Sequence, residues 1–288
     1  LVALTGLSGQ VSLTQYLFVG LGAFVAGSIN DGHSLIGMIL GGLVGAVGGA
    51  LVALPAVRLR GLHLALSTFG CALVGREIIL GDSRVFGLGG INVGRPSFFG
   101  IDTNSDAAFA VFCASTFAVM AMLVGAVRRS WYGRQLTAVR DSELAAATLG
   151  LRVRPAKVVI FMVSGFIAGC SGALFGGLSG AVNGPQFEPV NSLVLLLFAY
   201  VGGITTVAGA LIAGMLFAVL QYAQATYSGL AGVVFVVVGA AAITLGRQPN
   251  GIAGFVLDRA RRLTMREPAA RSTIGSHPDT PALQEARS

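Results

Sequence analysis

The sequence predicts an all-α membrane protein, a polytopic bundle of transmembrane helices. First, 54% of its 288 residues are hydrophobic and only 11% are charged, whereas soluble domains carry roughly 25% charged residues. Second, the mean hydropathy is +0.80, and apolar runs of the roughly 20 residues needed to cross a bilayer recur along the chain. Third, glycine recurs at regular intervals inside those runs, which favours close helix packing in lipid. This composition excludes an ordinary soluble enzyme.

The apolar runs predict about eight membrane spans. The long runs lie at about 11–29, 36–54, 62–80, 107–127, 158–182, 205–222 and 229–245. A shorter apolar stretch at 190–203 is interpreted as a tilted short span or a re-entrant segment. We therefore expect one transmembrane domain over 1–263, followed by a disordered tail at 264–288, which is polar and lacks helical periodicity. The chain begins without a charged segment before its first span, so no cleavable signal peptide is expected.

The charges of the connecting segments predict the orientation, because arginine and lysine favour the cytoplasmic side in short loops. The links at 55–61 and 128–157 are rich in arginine. The acidic or nearly neutral links are 30–34, 81–106 and 183–191. Alternation of sides works only if 190–203 crosses the membrane, and it then places the 128–157 loop and the C-terminal tail in the cytoplasm. The net charge of +7 lies in these connections and not on one binding face, so we expect no nucleic-acid partner.

Two glycine series predict close contacts between helices. The first repeats every four residues, at Gly37, Gly41, Gly45 and Gly49. The second comprises Gly165, Gly169, Gly172, Gly176 and Gly180. Small residues let helix backbones approach each other in lipid, so tight packing is the favoured interpretation. Sliding of helices during a conformational cycle is the alternative.

Polar residues at membrane depth are the candidate functional residues, because lipid disfavours them. The stretch GLSGQVSLTQ at 6–15 interrupts the apolar pattern with two glycines and places Gln10, Ser12 and Gln15 inside the membrane. A helix break at this depth is tolerated only where it is buried or lines a wet cavity. Arg76 and Glu77 end the span at 62–80, and they are interpreted as an ion pair or as residues that reach the interface.

Catalytic and metal sites are not expected. The cysteines lie inside apolar runs without zinc-type spacing, at Cys71, Cys113 and Cys170. GLSG occurs twice, which allows an intramembrane serine protease with Ser8 or Ser179 as nucleophile, but such a nucleophile needs a base within hydrogen-bond reach. The histidines lie in links, at a membrane edge or in the tail, at His33, His63 and His277. The protease hypothesis is therefore disfavoured.

A short charged helix is predicted within AVRDSELAAATLGLRVRPAK at 138–157. Asp141 and Glu143 suit the first turn, Gly150 suits a left-handed C-terminal cap, and Pro155 follows. This gives a helix of about two turns, held outside the hydrocarbon. The apolar residues predicted to share one of its faces are Leu144, Ala147 and Leu151.

Five segments together resemble a known family. They read GLSGQVSLTQYLFVGLGAF, LPAVRLRGLHLALST, GLGGINVGRPSFFG, WYGRQLTAVRDSELAAATLGL and VGGITTVAG. From about 5 to 255 the chain resembles the membrane permease subunits of branched-chain amino acid ABC importers, in particular the larger of the paired permeases. The resemblance implies a type II-like importer permease fold and a chain that lacks the family's extreme N-terminal span or spans. Where the family usually reads S-L-G-H, this chain has Ser12, Leu13, Thr14 and Gln15.

The resemblance implies a role for the charged helix. In ABC importers a cytoplasmic loop with an E-A-A-x-x-x-G-like pattern forms the coupling helix that docks on the ATPase subunit. Ala145, Ala146 and Gly150 match this pattern, whereas Glu143 stands one residue early and Leu144 occupies the Glu position. The residues assigned to this coupling helix are Glu143, Leu144, Ala145, Ala146, Ala147 and Gly150. The alternative is an ordinary solvated loop helix.

The implied function is transport of branched-chain (hydrophobic) amino acids across the bacterial plasma membrane, with Gln10, Ser12 and Gln15 lining the path. The chain has no G-x-x-x-x-G-K-[ST] motif, so ATP and Mg are expected to bind separate ATPase subunits, and no cofactor or enzymatic activity is expected here. The other implied partners are a second permease subunit and an extracytoplasmic substrate-binding protein. Permeation of urea, amides or other amino acids remains open. An ion-coupled secondary transporter also remains open, although it would use buried acids or histidines that the spans almost entirely lack.

Overall fold

The computed structural model describes residues 1–29, 34–59, 61–82, 90–96, 103 and 105–226. The helices of these residues are α1 (Val2–Ser8), α2 (Gln15–Ser28), α3 (Leu35–Ala56), α4 (Gly61–Gly75), α5 (Asp106–Arg129), α6 (Trp131–Asp141), α7 (Glu143–Thr148), α8 (Val153–Ser179), α9 (Pro189–Gly202) and α10 (Val207–Thr226). A π-helical turn, Arg76–Leu80, continues α4, and a 3₁₀ turn, Gly184–Gln186, precedes α9.

Four of the described helices are long and apolar enough to cross a membrane: α3, α4 with its π-helical turn, α5 and α8. Helices α2 and α10 are apolar, but their apolar segments are shorter than a membrane span, and α9 has 14 residues. The prediction of a helical membrane protein is thus confirmed. The predicted span at 11–29 is wrong in its first part, because helix α2 begins only at Gln15. The predicted span at 229–245 and the tail at 264–288 lie outside the described residues.

Glycines hold the centre of the bundle together, where α2, α3 and α8 meet. A Cβ on Gly165 would overlap the carbonyl oxygen of Gly45, and a Cβ on Gly45 would overlap that of Gly165. A Cβ on Gly169 would overlap the carbonyl oxygen of Gly41, a Cβ on Gly41 would meet that of Gly22, and a Cβ on Gly22 of α2 would overlap that of Gly169. The backbones are therefore in direct contact, as the tight-packing interpretation of both glycine series predicted.

A two-residue β-ladder joins two links at one end of the bundle. Ile91–Asn92 (β1) pairs antiparallel with Ala181–Val182 (β2). The ladder corrects the all-α prediction in detail, since two residues per strand leave no readable alternation in the sequence. It places the segments before α5 and after α8 on the same side, as the alternation of loop charges predicted. Beside it, the Arg95 guanidinium lies 2.6 Å from the Asp106 carboxylate and 5.0 Å from the centre of the Phe109 ring.

The orientation can be tested with cysteines at exposed positions on opposite sides. Glu188, next to the β-ladder, and Asp141, at the end of α6, are both exposed. Because the arginine-rich loop is predicted to be cytoplasmic, Glu188→Cys should react with an impermeant thiol reagent added to intact cells, and Asp141→Cys should react only after the cells are opened. Reaction of Asp141→Cys from outside would reverse the predicted orientation.

Candidate functional site

The polypeptide leaves the helical conformation between α1 and α2, at 9–14. Gly9 ends α1 in the left-handed region (φ +67°), and its N–H donates to the carbonyl of Thr5 at 3.0 Å. Glycine adopts this conformation without steric cost. The three predicted path residues of this segment are buried, with Gln10 7%, Ser12 0% and Gln15 3% exposed. The break therefore lies inside the bundle, where the glycines of 6–9 predicted it.

Hydroxyl groups from other helices bind the backbone of the break. The Leu13 N–H donates to Thr68 Oγ1 of α4 at 3.1 Å. The Tyr16 N–H, in the first turn of α2, donates to Ser192 Oγ of α9 at 3.0 Å. A helix start leaves N–H groups without intrahelical partners, and these side chains replace water as acceptors. Thr68 and Ser192 are 1% and 0% exposed, so each serves the break within the protein interior.

The two glutamines each keep one hydrogen-bonding atom without a partner. Ser164 Oγ of α8 donates to Gln15 Oε1 at 3.2 Å. No group in the described part of the chain bonds to Gln15 Nε2 or to Gln10 Oε1. An unpaired buried polar atom costs roughly 1–3 kcal/mol. The break thus presents one buried acceptor and one buried donor that the fold itself does not use.

A second helix break meets the first. Helix α9 ends at Gly203 (φ +112°), and α10 begins at Val207. A Cβ on Gly6 of α1 would overlap the carbonyl oxygen of Ile204. The segment VGGITTVAG, one of the five that resemble the family, therefore contains a helix break that packs directly on α1. The sequence identifies this segment but does not predict its contact with the segment at 6–15.

An apolar cavity of about 220 Å³ lies among the start of α1 and helices α5, α8, α9 and α10, and none of the residues 9–14 lines it. Aliphatic side chains such as Met120, Ile167 and Leu195 line it, and Ser164, the partner of Gln15, also reaches its wall. Apolar pockets with a few convergent polar groups are typical of small-molecule sites. This cavity suits an aliphatic side chain better than a polyhydroxylated ligand.

The charged segment forms two helices, which corrects the single helix predicted from the sequence. Asp141 is the last residue of α6 and does not start a helix. Ser142 then adopts an extended conformation (φ −159°), and its hydroxyl accepts the Ala145 N–H at 3.2 Å, which caps α7. Serine is a strong N-terminal cap because it supplies this acceptor.

Helix α7 ends in the left-handed cap that the sequence predicted at Gly150. Gly150 has φ +74°, its N–H donates to the Ala147 carbonyl at 3.1 Å, and the Leu151 N–H donates to the Ala146 carbonyl at 3.1 Å. This pair of bonds is a Schellman motif, which lets the chain reverse after a short helix. Helix α8 follows at once and carries the chain back into the bundle.

The exposed face of α7 differs from the predicted docking surface. Leu144 and Leu149 are 70% and 77% exposed, and Ala145 and Ala147 are exposed too. Ala146 is only 2% exposed, so it packs against this chain and is not available to a partner. Leu151 lies beyond the end of α7 and is half-buried. Glu143 is the first residue of α7. The outward surface is therefore centred on Leu144, Ala147 and Leu149.

Three residues of the site were not identified from the sequence: Thr68, Ser164 and Ser192. Each is a buried hydroxyl in a largely apolar segment, and a small polar side chain at membrane depth was the available signal. Conversely, the Ser8 hydroxyl donates to the Leu4 carbonyl at 2.6 Å, and His63 is exposed on α4. His33 and His277 lie outside the described residues. The arrangement gives no support to Ser8 as a nucleophile.

Comparison with known proteins gives several related permeases. The chain is 28% identical over 242 residues to the high-affinity branched-chain amino acid transport system permease protein LivM of Escherichia coli (strain K12), covering 74% of this chain and 57% of that protein. It is 25% identical over 238 residues to the L-arabinose ABC transporter permease protein AraH of Azospirillum brasilense, covering 75% and 65% respectively. It is also 28% identical over 219 residues to the autoinducer 2 import system permease protein LsrC of Enterobacter sp. (strain 638), covering 72% and 62%.

The chain thus spans rather more than half the length of the curated relatives it matches. No solved structure matches it significantly. The sequence profile described as "Branched-chain amino acid transport system / permease component" matches residues 2–245. This match covers most of the chain, which therefore belongs to the branched-chain amino acid transport system / permease component family, whose members are transport components and not enzymes.

Proposed function

We propose that this chain is a membrane-spanning permease subunit of an ATP-binding cassette importer that carries branched-chain (hydrophobic) amino acids across the bacterial plasma membrane. The observation that carries the proposal is the buried break at 9–14 with the unpaired atoms of Gln10 and Gln15, which Ser164 links to an apolar cavity. Non-helical backbone at membrane depth is tolerated where it is buried or lines a cavity. Transporter sites are commonly built from such discontinuous helices.

The path residues are Gln10, Ser12 and Gln15. A zwitterionic amino acid needs a hydrogen-bond donor for its carboxylate and an acceptor for its ammonium group. The unpaired amide atoms of Gln10 and Gln15 supply one of each. Ser12 is bonded to the Thr14 hydroxyl at 2.8 Å, and this contact fixes the backbone between the two glutamines.

The cavity supports an aliphatic substrate, because its wall is almost entirely hydrocarbon. The relatives named for L-arabinose and autoinducer 2 import favour a second candidate, a polyhydroxylated ligand. Such a ligand needs several hydroxyl partners, and Ser164 is the polar side chain in the wall of this cavity. The branched-chain assignment is therefore the better supported of the two.

Helix α7 is proposed as the coupling helix. Leu144 in α7 and Leu149 at its C-terminal cap are exposed next to α6, which carries Arg134 and Arg140, and exposed apolar side chains on a short helix can enter a groove on a partner. The partner is the ATPase subunit, which would bind ATP and Mg. The complete importer would also contain a second permease subunit and an extracytoplasmic substrate-binding protein.

Co-purification and ligand binding test this proposal together. Tagged full-length chain, extracted from native membranes, should bring down an ATPase subunit and a second permease. The binding protein encoded beside them should then be titrated with leucine, isoleucine, valine, urea, L-arabinose and autoinducer 2. We expect the tightest binding for the aliphatic amino acids. Tight binding of L-arabinose alone would replace the branched-chain assignment, and a complex without an ATPase would contradict the importer proposal.

Substitution of Gln10 tests the path directly. Gln10→Leu removes a buried acceptor that has no partner, so the fold should lose little stability while the substrate loses a contact. We expect uptake to fall at least tenfold with unchanged assembly, measured as labelled leucine uptake and as co-purified ATPase. Thr5→Val is the matched control, since Thr5 Oγ1 is also buried and unpaired but lies in α1 outside the break. Equal uptake by Gln10→Leu and Thr5→Val would assign Gln10 to packing.

A further inference from the structure

Helix α6, which precedes the coupling helix, packs directly on α1. Leu136 and Val139 of α6 are 0% and 6% exposed, and Leu136 belongs to the same apolar cluster as Leu4 and Leu7 of α1. The two helices are thus joined by a continuous hydrophobic contact. Helix α7 follows α6 after the single residue Ser142. Because no long flexible linker separates the two helices, a displacement of α7 is expected to move α6 as well.

One polar contact extends this connection to the break. Arg140 Nη1, in the last turn of α6, donates to the carbonyl oxygen of Gly6 at 2.8 Å. Gly6 lies among the last residues of α1, where carbonyl groups lack intrahelical partners. A cation is favourable there because the C-terminal end of a helix carries partial negative charge. Arg140 thus binds α1 just before the chain enters the break.

The Arg140 stem also touches the turn into the break. A Cβ on Gly9 would lie 3.1 Å from Arg140 Cγ, so the aliphatic part of the side chain rests on the Gly9 backbone. A cleft of about 560 Å³ opens at this point, lined by Gln10 and Val11 of the break, Leu62 of α4, Arg140, and Lys157 of α8. The break therefore borders open space on the side that faces α6.

We propose that Arg140 is a positioning residue that couples the position of α7 to the conformation of the break at 9–14. This inference rests on the proposed function, since it requires an ATPase that moves α7. Displacement of α7 shifts α6, and the bond from Arg140 to Gly6 transfers that shift to Gln10 within the break and to Gln15 at the start of α2. The guanidinium suits this role because its several N–H groups keep a donor aimed at the carbonyl as the helices move.

The test uses the complete reconstituted importer with Arg140→Ala, Arg140→Lys and the control Arg134→Ala. Arg134 lies on the same helix and is exposed, and its guanidinium stacks 5.8 Å from the Trp131 ring instead of binding α1. Three readouts separate coupling from structure: co-purified ATPase, substrate-stimulated relative to basal ATP turnover, and the thiol reactivity of Val11→Cys with and without nucleotide. Thiol reactivity is measured against the same variants without the Val11→Cys change, which removes the contribution of the native cysteines.

In the parent protein we expect nucleotide to change the reactivity of Val11→Cys at least threefold. Arg140→Ala should abolish that change and lower substrate stimulation at least tenfold, with ATPase binding and basal turnover retained. Arg140→Lys should restore part of both signals, and Arg134→Ala should match the parent. Retained stimulation and a retained nucleotide response in Arg140→Ala would overturn the inference while leaving the importer proposal intact. Loss of ATPase binding in Arg140→Ala and Arg140→Lys alike would reduce Arg140 to a structural contact. Absence of ATP-dependent uptake by the parent would overturn the proposed function, and this inference with it.

Discussion

Replacing Gly165 with alanine is expected to separate α3 from α8 and to prevent the bundle from packing. The new Cβ would overlap the carbonyl oxygen of Gly45, and a backbone atom cannot rotate away as a side chain can. The helices must move apart, which also disrupts the neighbouring contact of Gly41 with Gly169. Overpacking in a well-packed interior costs about 1–3 kcal/mol and occasionally more. We expect the top of that range or above, because two backbones are involved.

The measurement is the thermal unfolding midpoint of the detergent-solubilised chain. The loss of its monodisperse chromatographic peak on heating serves as the readout. Gly125→Ala is the matched control. Gly125 lies in another membrane-length helix, α5, and its added Cβ would meet no atom within 4 Å. Alanine is favoured over glycine inside a helix by about 1 kcal/mol, so this control should unfold no earlier than the parent. If Gly165→Ala and Gly125→Ala have the same unfolding midpoint, the close contact of α3 and α8 is wrong.

Placing acids on the outward face of α7 is expected to uncouple the chain from its ATPase. Leu144→Glu with Leu149→Glu replaces two exposed leucines, so the permease should remain folded. In a complex, the same changes would bury unpaired charges in an apolar groove, and a buried unpaired charge is strongly unfavourable. We expect at least a hundredfold weaker ATPase binding, measured by pull-down titration, and loss of uptake.

Thr137→Glu provides the charge-matched control, since Thr137 is exposed on α6 and outside the proposed docking face. It should retain most of the ATPase binding. Ala146→Glu, in contrast, should destabilise the permease itself, because Ala146 is buried within this chain. Wild-type ATPase affinity in the double leucine variant would leave α7 as a solvated loop helix and would move the docking surface elsewhere.

Local features of the site followed from the sequence because they depend on neighbouring residues. The glycines of GLSG predicted the break at Gly9, and the left-handed cap at Gly150 was expected from the end of the charged helix. The four-residue glycine spacing predicted helix contacts, since one helix face is set by local periodicity. It did not predict that Gly45 meets Gly165, because a spacing on one helix carries no information about its partner.

The long-range part of the site did not follow from the sequence. Ser192 binds the Tyr16 N–H from 176 positions away, and Thr68 binds the Leu13 N–H from 55 positions away. Asp141 resembled a helix start because acids favour the first turn, but the Ser142 hydroxyl supplies the stronger signal and caps α7. Ala146 looked available for docking, yet it is buried against other parts of this chain. The contacts of Ser192, Thr68 and Ala146 are tertiary and are not encoded locally, whereas the error at Asp141 is a misread local cap.

Reconstituted uptake tests the central claim most directly, namely that this chain forms a path driven by a separate ATPase. Vesicles should contain the chain with its co-purified subunits. The binding protein and labelled leucine are added on the side of the membrane opposite the ATPase. We predict uptake against a gradient only when ATP and Mg are present on the ATPase side, with no response to an imposed proton or sodium gradient. Uptake driven by an ion gradient in vesicles that hold this chain without the ATPase would contradict the account.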